Sequence, residues 1–267
     1  MLRFAANLTM LFNEVDFLDR FEAAKRAGFQ GVEYLFPYPY PKEQLAERLL
    51  ASGLKQVLHN LPAGNWAAGE RGIASLPGRE SEFRDGVGVA IDYAKALGCT
   101  QLNCLAGIPP PGLDLHRARE TLVENLAYAA RKLRGENIRL LMEPLNTRDV
   151  PGFFVSHTDQ ALEIFDSVGG DNLYLQYDAY HMQVMEGDLT STLERNLKRI
   201  SHIQIADNPG RHEPGTGEIN YPFVFSRLDE LRFPGWIGCE YKPRAGTVAG
   251  LKWAAPYLTP ERAKSST

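Results

Sequence analysis

Four oxygen-bearing side chains stand at or near the ends of successive apolar runs in the second half of the chain: Glu143, Asp178, Gln204 and Glu240. Three carboxylates brought together repel one another, and a buried carboxylate is costly unless a positive charge compensates it. Ligation by Asp, Glu and Gln oxygens suits a hard divalent cation, Mg²⁺ or Mn²⁺, better than zinc. We therefore expect a divalent metal site, provided that the fold brings the four side chains together. Any one of them alone would be interpreted as a strand-end residue facing solvent.

Eight short apolar runs along the chain could form the strands that carry these side chains. They lie at residues 3–9, 31–36, 55–60, 101–107, 139–145, 173–180, 201–207 and 236–243. Segments with apolar residues at helical spacing separate them, and several end in the glycine expected just past a helix C-terminus. The strand and helix candidates alternate with a repeat of roughly 30 residues, which is the length of a βα unit.

This alternation predicts an α/β protein, a (β/α)8 TIM barrel formed as a single domain by residues 1–267. Eight βα units in about 250 residues match the size of that fold. A doubly wound open sheet is the structural alternative, and it would carry a phosphate-binding glycine fingerprint after its first strand. The sequence reads NLTMLFNEVDF at that point. The missing fingerprint disfavours the open sheet and predicts that the protein uses no nucleotide cofactor.

The barrel would direct the strand-end side chains to one place. Side chains alternate inward and outward along a barrel strand, and the C-terminal ends of all strands converge on one site. Gly238, Glu240 and Lys242 share a face of the last strand candidate by this alternation, and the glycine leaves room beneath the Glu240 carboxylate. His202 lies one layer below Gln204, where we expect a hydrogen-bonded interior histidine.

One connection, residues 61–83, is long and rich in glycine and proline. It follows the third strand candidate, and loops at the C-terminal ends of barrel strands form the rim of the active site. The segment is therefore either a lid that closes over the site or a tolerated surface excursion. The sequence alone does not separate these interpretations.

Composition and charge exclude several classes of protein. The chain has 29 Lys and Arg residues and 33 Asp and Glu residues, so the net charge is 29 − 33 = −4. This mild acidity predicts no nucleic-acid partner, and no apolar run approaches the roughly 20 residues of a membrane span. The N-terminal residues lack signal-peptide features, and the three cysteines have no metal spacing. We expect a cytoplasmic protein, with a homo-oligomer left open.

The order Glu, Asp, Gln and Glu on the last four strand candidates resembles the xylose-isomerase-like barrel family. This family includes sugar isomerases, ketose epimerases and apurinic endonucleases. The stretches MEPLN, LQYDAYHMQVMEGDL, HIQIADNPGRHEPGTGEINY and GWIGCEYKP carry the resemblance, which extends from the first strand candidate to the last. The combination is specific, whereas any one of these stretches alone is a weak indicator.

The resemblance implies roles for particular residues. The family's metal ligands correspond to Glu143, Asp178, Gln204 and Glu240. The two glutamates also correspond to the family's proton-transfer residues. His181 and Arg211 match positions that contact substrate oxygens in related epimerases. Those epimerases often have histidine at the position of Gln204, and the loss of that nitrogen ligand favours Mg²⁺ over softer metals.

Within the family, the quoted stretches are closest to the branch that acts on small hydroxy-oxo acids. This implies the interconversion of hydroxypyruvate and tartronate semialdehyde through an enediolate. A divalent cation would stabilise the charge that develops, while Glu143 and Glu240 remove and return protons. A cation should also meet the substrate carboxylate, and the candidates are Lys242, Arg211 and, less directly, His59.

Other functions are open at this point. An isomerase of the four-carbon acid 2-oxo-tetronate and a ketose 3-epimerase would use the same chemistry on a longer substrate. DNA repair by hydrolysis, as in the apurinic endonuclease branch, is a different class. The resemblance implies that such enzymes hold multiple zinc ions with a cluster of several histidines, and this chain has only six histidines. A barrel that binds a sugar acid without turnover is a third class, which the full set of candidate ligands disfavours.

Overall fold

The computed structural model describes residues 2–259, whose eight strands close into one barrel. The strands are β1 (Phe4–Asn7), β2 (Gly31–Glu33), β3 (Lys55–Asn60), β4 (Gln101–Cys104), β5 (Arg139–Met142), β6 (Leu173–Asp178), β7 (Ile200–Ile205) and β8 (Trp236–Cys239). Each strand pairs in parallel with the next, and β8 pairs with β1 through Ala5 and Gly238. The predicted TIM barrel is confirmed, and the expected ends of the domain, residues 1 and 260–267, lie outside the described residues.

Helices connect the strands around the outside of the barrel. They are α1 (Arg20–Arg26), α2 (Lys42–Ser52), α3 (Glu80–Leu97), α4 (Leu115–Arg134), α5 (Thr158–Val168), α6 (Ala179–Met185), α7 (Leu189–Asn196), α8 (Tyr221–Glu230) and α9 (Thr247–Gly250). Within residues 2–259, no helix combines the length and the apolar character that crossing a membrane requires.

The helices form where the sequence has both a periodic apolar stripe and end signals. In α4, Ala118, Leu122, Leu126 and Ala129 are all fully buried, and their spacing of three or four residues places them on one face of the helix. The Asp114 carboxylate accepts a hydrogen bond from the His116 backbone N–H (2.9 Å) and caps the first turn of the helix.

Most strands end earlier than the apolar runs that predicted them, whereas β3 matches its run, 55–60. The run at 139–145 becomes a strand only as far as Met142, and the run at 236–243 only as far as Cys239. Glu143 and Glu240 therefore each lie one residue beyond a strand, in the chain that turns outward at the mouth. The extra length of the runs reflects buried loop residues rather than sheet, since Leu145 and Tyr241 are also buried.

The interior of the barrel is layered. A small apolar cluster of Ala5, Val57, Leu58 and Leu141 is separate from the large core between strands and helices, and Tyr174 and Trp236 pack against it. Two residues further along β1 and β5, in the direction of the C-terminal ends, the inward positions become polar with Asn7 and Glu143. The apolar cluster thus forms a dry floor beneath a polar layer.

Candidate active site

A cavity of about 160 Å³ lies at the C-terminal end of the barrel, above the apolar floor. Glu143, Gln204 and Glu240 line this cavity, as do His181 and Arg211. Asp178, the last residue of β6, is completely buried beside them, with its Oδ2 3.7 Å from Arg211 Nη2. The structure therefore brings together the four side chains that the sequence nominated as ligands.

The carboxylate of Glu143 is buried with little to compensate its charge. Asn103 Nδ2 donates a long hydrogen bond to Oε2 (3.4 Å), and Oε1 has no hydrogen-bond partner among the residues that the structure describes. Burial, the Glu240 carboxylate and the Asp178 carboxylate together raise the pKa of Glu143 well above its ordinary value. The Arg211 guanidinium opposes this rise in the pKa of Glu143.

Glu240 and Asp178 share one guanidinium. Arg211 Nη2 lies 2.7 Å from Glu240 Oε1. Arg211 Cζ lies over the Tyr180 ring, 5.2 Å from its centre. Burial raises the pKa of Glu240 to about 8, although Arg211 opposes the shift. Burial also raises the pKa of Asp178, whose Oδ1 accepts hydrogen bonds from the Tyr180 and His181 backbone N–H groups.

His181 presents a hydrogen-bond donor to the site. The Asn146 backbone N–H donates to Nδ1 (3.1 Å), so in the neutral ring the proton must be on Nε2. Burial and Arg211 lower the pKa of His181 well below its ordinary value, which keeps the ring neutral. Nε2 lies 3.7 Å from Asp178 Oδ2 and 4.0 Å from Glu143 Oε1. This tautomer suits contact with a substrate oxygen, as the resemblance implied, and does not suit metal ligation through Nε2.

Gln204 is oriented by its neighbours. Its Oε1 accepts from Gln176 Nε2 (2.7 Å), while its Nε2 donates to Glu33 Oε1 (2.8 Å) and to Glu240 Oε2 (2.7 Å). In this arrangement the amide nitrogen, and not the oxygen, faces the acidic cluster. Gln204 therefore acts here as a donor that holds Glu240, and a ligand role would use the remaining lone pair of Oε1 or a turned amide.

The donor set fits a divalent cation. When ionised, Glu143, Asp178 and Glu240 carry three negative charges. Arg211 carries one positive charge, so the net charge of these four groups is −2. Glu143 Oε1 and Asp178 Oδ2 both lack a hydrogen-bond partner among residues 2–259. Oxygen atoms of Glu143 and Asp178 also lie within 4.8 Å of each other and of a His181 ring nitrogen. Carboxylate oxygens that are free and close together are the ligands that Mg²⁺ and Mn²⁺ prefer.

Two predicted substrate contacts lie elsewhere, and those expectations need correction. His59 is completely buried and does not line the cavity; its ring lies 6.2 Å from that of Tyr38, and burial lowers its pKa to about 3. Lys242 is exposed and lines a neighbouring cavity with Thr9 and Glu14. Strand alternation does not extend to Lys242 because β8 ends three residues earlier.

A fourth buried acid, Glu33 at the end of β2, also lines the cavity and was not identified from the sequence. Its Oε2 lies 2.7 Å from His202 Nε2, and its Oε1 accepts from Asn7 Nδ2 (3.1 Å) as well as from Gln204. A Cβ at position 238 would overlap this carboxylate, so the glycine expected to leave room for Glu240 leaves it for Glu33. The sequence did contain an indication of this residue. Glu33 is the acid in the run GVEYLF, and it lies two residues after Gly31, so both residues share the inward face of the strand.

Asp207 organises the loop that carries Arg211. Its Oδ2 accepts hydrogen bonds from the backbone N–H groups of Gly215 (2.8 Å), Thr216 (3.0 Å) and Gly217 (2.8 Å). Arg211 itself has a left-handed backbone conformation with φ 55°, and its carbonyl accepts from the Lys242 N–H (2.8 Å). The stretch EPGTGE is thus a turn fastened to a buried carboxylate, which holds the mouth of the barrel in shape.

The long 61–83 segment contributes to the cavity wall. It contains a short 3-10 turn, Trp66–Ala68, and both Trp66 and Arg71 line the cavity. The segment is therefore more than a surface excursion, and whether it closes over a substrate stays a prediction.

Eight parallel strands closed into a barrel, with buried carboxylates at their C-terminal mouth, define a TIM-barrel protein with an acid-based active site. Comparison with known proteins identifies the family of TIM barrels to which the chain belongs. A family model described as "Xylose isomerase-like TIM barrel" matches residues 21–257, and the chain belongs to this family.

Curated and solved relatives cover nearly the whole chain. Hydroxypyruvate isomerase of Escherichia coli (strain K12) is 57% identical over 96% of this chain and 100% of its own length. A 2-oxo-tetronate isomerase of Cupriavidus necator is 51% identical over 97% of this chain and 99% of its own. A crystal structure described as AP endonuclease, family 2, from Brucella melitensis superimposes with a TM-score of 0.95 at 50% identity and covers 97% of this chain and 100% of its own.

Replacing Glu33 by alanine should destabilise the protein strongly. The substitution leaves buried donors on Asn7 and Gln204 without their acceptor, and each such loss costs about 1–3 kcal/mol. We expect the free energy of unfolding in urea to fall by at least about 3 kcal/mol for Glu33→Ala. Glu124→Ala on the exposed face of α4 is the matched control and should change it by less than about 0.5 kcal/mol. Equal effects of the two substitutions would contradict the structural role of Glu33.

Metal binding should stabilise the protein more at high pH than at low pH. In metal-free protein the Glu240 pKa of about 8, against an ordinary 4.5, means that the folded state keeps a proton that the unfolded chain releases. Stability should therefore fall as pH rises from 4.5 to 8 and level off above that. The cation has fewer protons to displace at pH 8, so its stabilising effect is larger there.

The measurement is the melting temperature in EDTA and in Mg²⁺, at pH 5.5 and at pH 8. We expect the increase produced by Mg²⁺ to be larger at pH 8 by several degrees, at about 2–4 °C per kcal/mol. Glu240→Gln removes one of the titrating carboxyl groups and should reduce the pH dependence. An Mg²⁺ effect that is absent, or that is the same at both pH values, would contradict the metal site.

Proposed function

We propose that the protein is a hydroxypyruvate isomerase, interconverting hydroxypyruvate and tartronate semialdehyde. The observation that carries this proposal is the cluster of buried carboxylates with raised pKa values around a small cavity. Groups that carry protons near neutral pH are suited to acid–base chemistry. The 57% identity to the E. coli hydroxypyruvate isomerase over nearly the whole of both chains supports the choice of substrate.

The reaction moves two protons and needs no oxidant. A proton leaves C3 of hydroxypyruvate, the carbon that bears the hydroxyl group, and the electron pair shifts to give an enediolate. A proton then enters at C2, while the proton of the C3 hydroxyl is lost and one is gained by the C2 oxygen. The C3 carbon becomes the aldehyde and C2 becomes the secondary alcohol. No nicotinamide or flavin takes part, in keeping with the expectation of no nucleotide cofactor.

Glu143 and Glu240 are the proposed proton-transfer residues. They extend from β5 and β8 into the same cavity, and the Glu240 carboxylate raises the pKa of Glu143. Two coupled acids can hold one proton while leaving one carboxylate free to act as a base. His181 Nε2–H is directed into the site and can donate to a substrate oxygen, which helps to orient the molecule.

The proposed cofactor is a divalent cation, Mg²⁺ with Mn²⁺ as the alternative. Glu143, Asp178 and Glu240 would hold it, with Gln204 as a fourth ligand through its amide oxygen. When bound, the cation would polarise the substrate's oxygens and stabilise the negative charge of the enediolate. The buried, partly unsatisfied carboxylates support this assignment, whereas the Nε2–H tautomer of His181 leaves that residue to the substrate.

A second candidate substrate is 2-oxo-tetronate, because a 2-oxo-tetronate isomerase is 51% identical to this chain. The chemistry is the same and the substrate has one more carbon atom. The cavity of about 160 Å³ is below the roughly 300–1,000 Å³ of pockets for drug-sized ligands, which favours a small acid over a six-carbon ketose. This disfavours the alternative of a ketose 3-epimerase.

The proposed partner is a small hydroxy-oxo acid; the net charge of −4 gives no reason to expect a nucleic acid, and a homo-oligomer is left open. The three cysteines are buried and free, as in proteins of a reducing compartment, and this supports a cytoplasmic location.

Loss of either glutamate should abolish most of the activity. We expect Glu143→Gln and Glu240→Gln each to lower kcat for hydroxypyruvate by about 10²–10⁴-fold, the usual contribution of a positioned acid or base. Glu124→Gln is the control and should leave kcat unchanged. Formation of tartronate semialdehyde is followed by proton NMR with Mg²⁺ present, and 2-oxo-tetronate is assayed in parallel.

The ratio of kcat/KM for the two acids decides which is the substrate. A higher value for 2-oxo-tetronate would replace the three-carbon assignment by the four-carbon one. Inactivity of the unaltered protein with both acids in the presence of Mg²⁺ would contradict an oxo-acid isomerase altogether.

A further inference from the structure

An acidic cavity that takes an acidic substrate needs a cation that is still available. Arg211 is already engaged with acids, because its Nη2 contacts Glu240 Oε1 and lies near Asp178 Oδ2, although its buried Nε has no hydrogen-bond partner among the described residues. Lys242 and His59 lie outside the cavity. A cation that is not paired with an acid would meet the substrate carboxylate at less cost.

Arg71 lines the same cavity from the opposite side of the mouth. It belongs to the connection after β3, whereas Arg211 belongs to the connection after β7, and these strands are four apart in a closed eight-stranded barrel. Strands four apart face each other across the barrel axis. A carboxylate near Arg71 would thus be separated from the acids that surround Arg211.

The guanidinium of Arg71 is held in place without a carboxylate partner. Its Nη1 donates to the backbone carbonyls of Trp66 (3.1 Å) and Glu70 (2.8 Å), and its Cζ lies 4.1 Å from the centre of the Trp66 ring. The neighbouring acid, Glu70, is paired with Arg79 at 2.8 Å. Within the described part of the chain, Nε and Nη2 of Arg71 make no hydrogen bond.

The loop that carries Arg71 is fastened at its base. The Gly72 N–H donates to the Ala63 carbonyl (3.0 Å) and closes the 63–72 loop, and the residues that follow, Ile73 and Ala74, are buried. A Cβ at position 72 would overlap the backbone of Leu105, the first residue after β4. Only glycine at position 72 therefore allows the two segments to lie this close together. A guanidinium on a fastened loop, stacked on an aromatic ring, loses little entropy when it binds an anion.

We propose that Arg71 binds the carboxylate of the substrate and thereby selects hydroxy-oxo acids over uncharged ketoses. The inference rests on the proposed function for the identity of the substrate, and it holds equally for hydroxypyruvate and 2-oxo-tetronate. The two free nitrogens, Nε and Nη2, match a carboxylate, which accepts paired hydrogen bonds from arginine. The 61–83 segment is then a determinant of specificity and not only a wall of the cavity.

Binding of D-glycerate tests this assignment without turnover. D-glycerate has the carboxylate and both oxygen positions of hydroxypyruvate but no carbonyl group, so it cannot react. Isothermal titration of the Mg²⁺-loaded protein should show that Arg71→Gln weakens D-glycerate binding about tenfold to a hundredfold, the range for a charge-assisted hydrogen-bonded pair. Arg71→Lys should recover part of the loss, and Arg48→Gln, on the exposed side of α2, should have no effect.

Turnover of an uncharged analogue separates charge recognition from general damage. Dihydroxyacetone replaces the carboxylate of hydroxypyruvate by a hydroxymethyl group and can undergo the same proton transfers. We expect Arg71→Gln to raise KM for hydroxypyruvate at least about tenfold with little change in kcat, and to leave kcat/KM for dihydroxyacetone within about twofold.

The outcomes distinguish this inference from the proposed function. Unchanged D-glycerate affinity in Arg71→Gln, or no binding to the unaltered protein, overturns the role of Arg71 even if hydroxypyruvate is isomerised. Binding that depends on Arg71 in a protein that isomerises neither oxo acid supports the inference and overturns the proposed function. An unchanged melting temperature of Arg71→Gln confirms that the loss is not one of folding.

Discussion

Uncompensated negative charge at the mouth of the barrel is the constraint on which the rest of the site depends. Glu143, Asp178 and Glu240 are buried around one guanidinium, that of Arg211, so the folded protein must hold protons there or bind a cation. The raised pKa values express the first solution, and the free carboxylate oxygens provide for the second. Protonated carboxyl groups can donate a proton and ionised carboxylates can accept one, and proton transfer between adjacent carbons needs both.

The surrounding residues make that concentration of charge tolerable. Neutral donors such as Gln204 and Asn103 direct N–H groups at the carboxylates, and Glu33 in turn anchors Gln204 from below. The apolar cluster of Ala5, Val57, Leu58 and Leu141 lies beneath this polar layer, toward the other end of the barrel. Because parallel strands converge only at their C-terminal ends, one architecture supplies both the dry floor and the polar mouth.

The sequence was sufficient for the barrel and for the main acids, because both follow from period and position. Eight apolar runs at regular spacing predict the strands, and acids at their ends predict the cluster at the mouth. Two of the failures, those at Lys242 and Arg71, concern residues beyond the strand ends. Lys242 was placed by extending an alternation past the point where β8 stops, and Arg71 was overlooked because loop paths have no simple periodicity. His59 lies on β3 between Leu58 and Asn60, which line the cavity, so strand alternation places its side chain on the other face.

The most direct test of the central claim is proton NMR of hydroxypyruvate in D₂O with the Mg²⁺-loaded protein. Proton transfer by buried carboxylates through an enediolate predicts that solvent deuterium enters at C2 of tartronate semialdehyde and at C3 of the remaining hydroxypyruvate. Product that forms with the original hydrogen retained at C2 would indicate direct hydride transfer between the two carbons. That result would contradict the acid–base role assigned to Glu143 and Glu240.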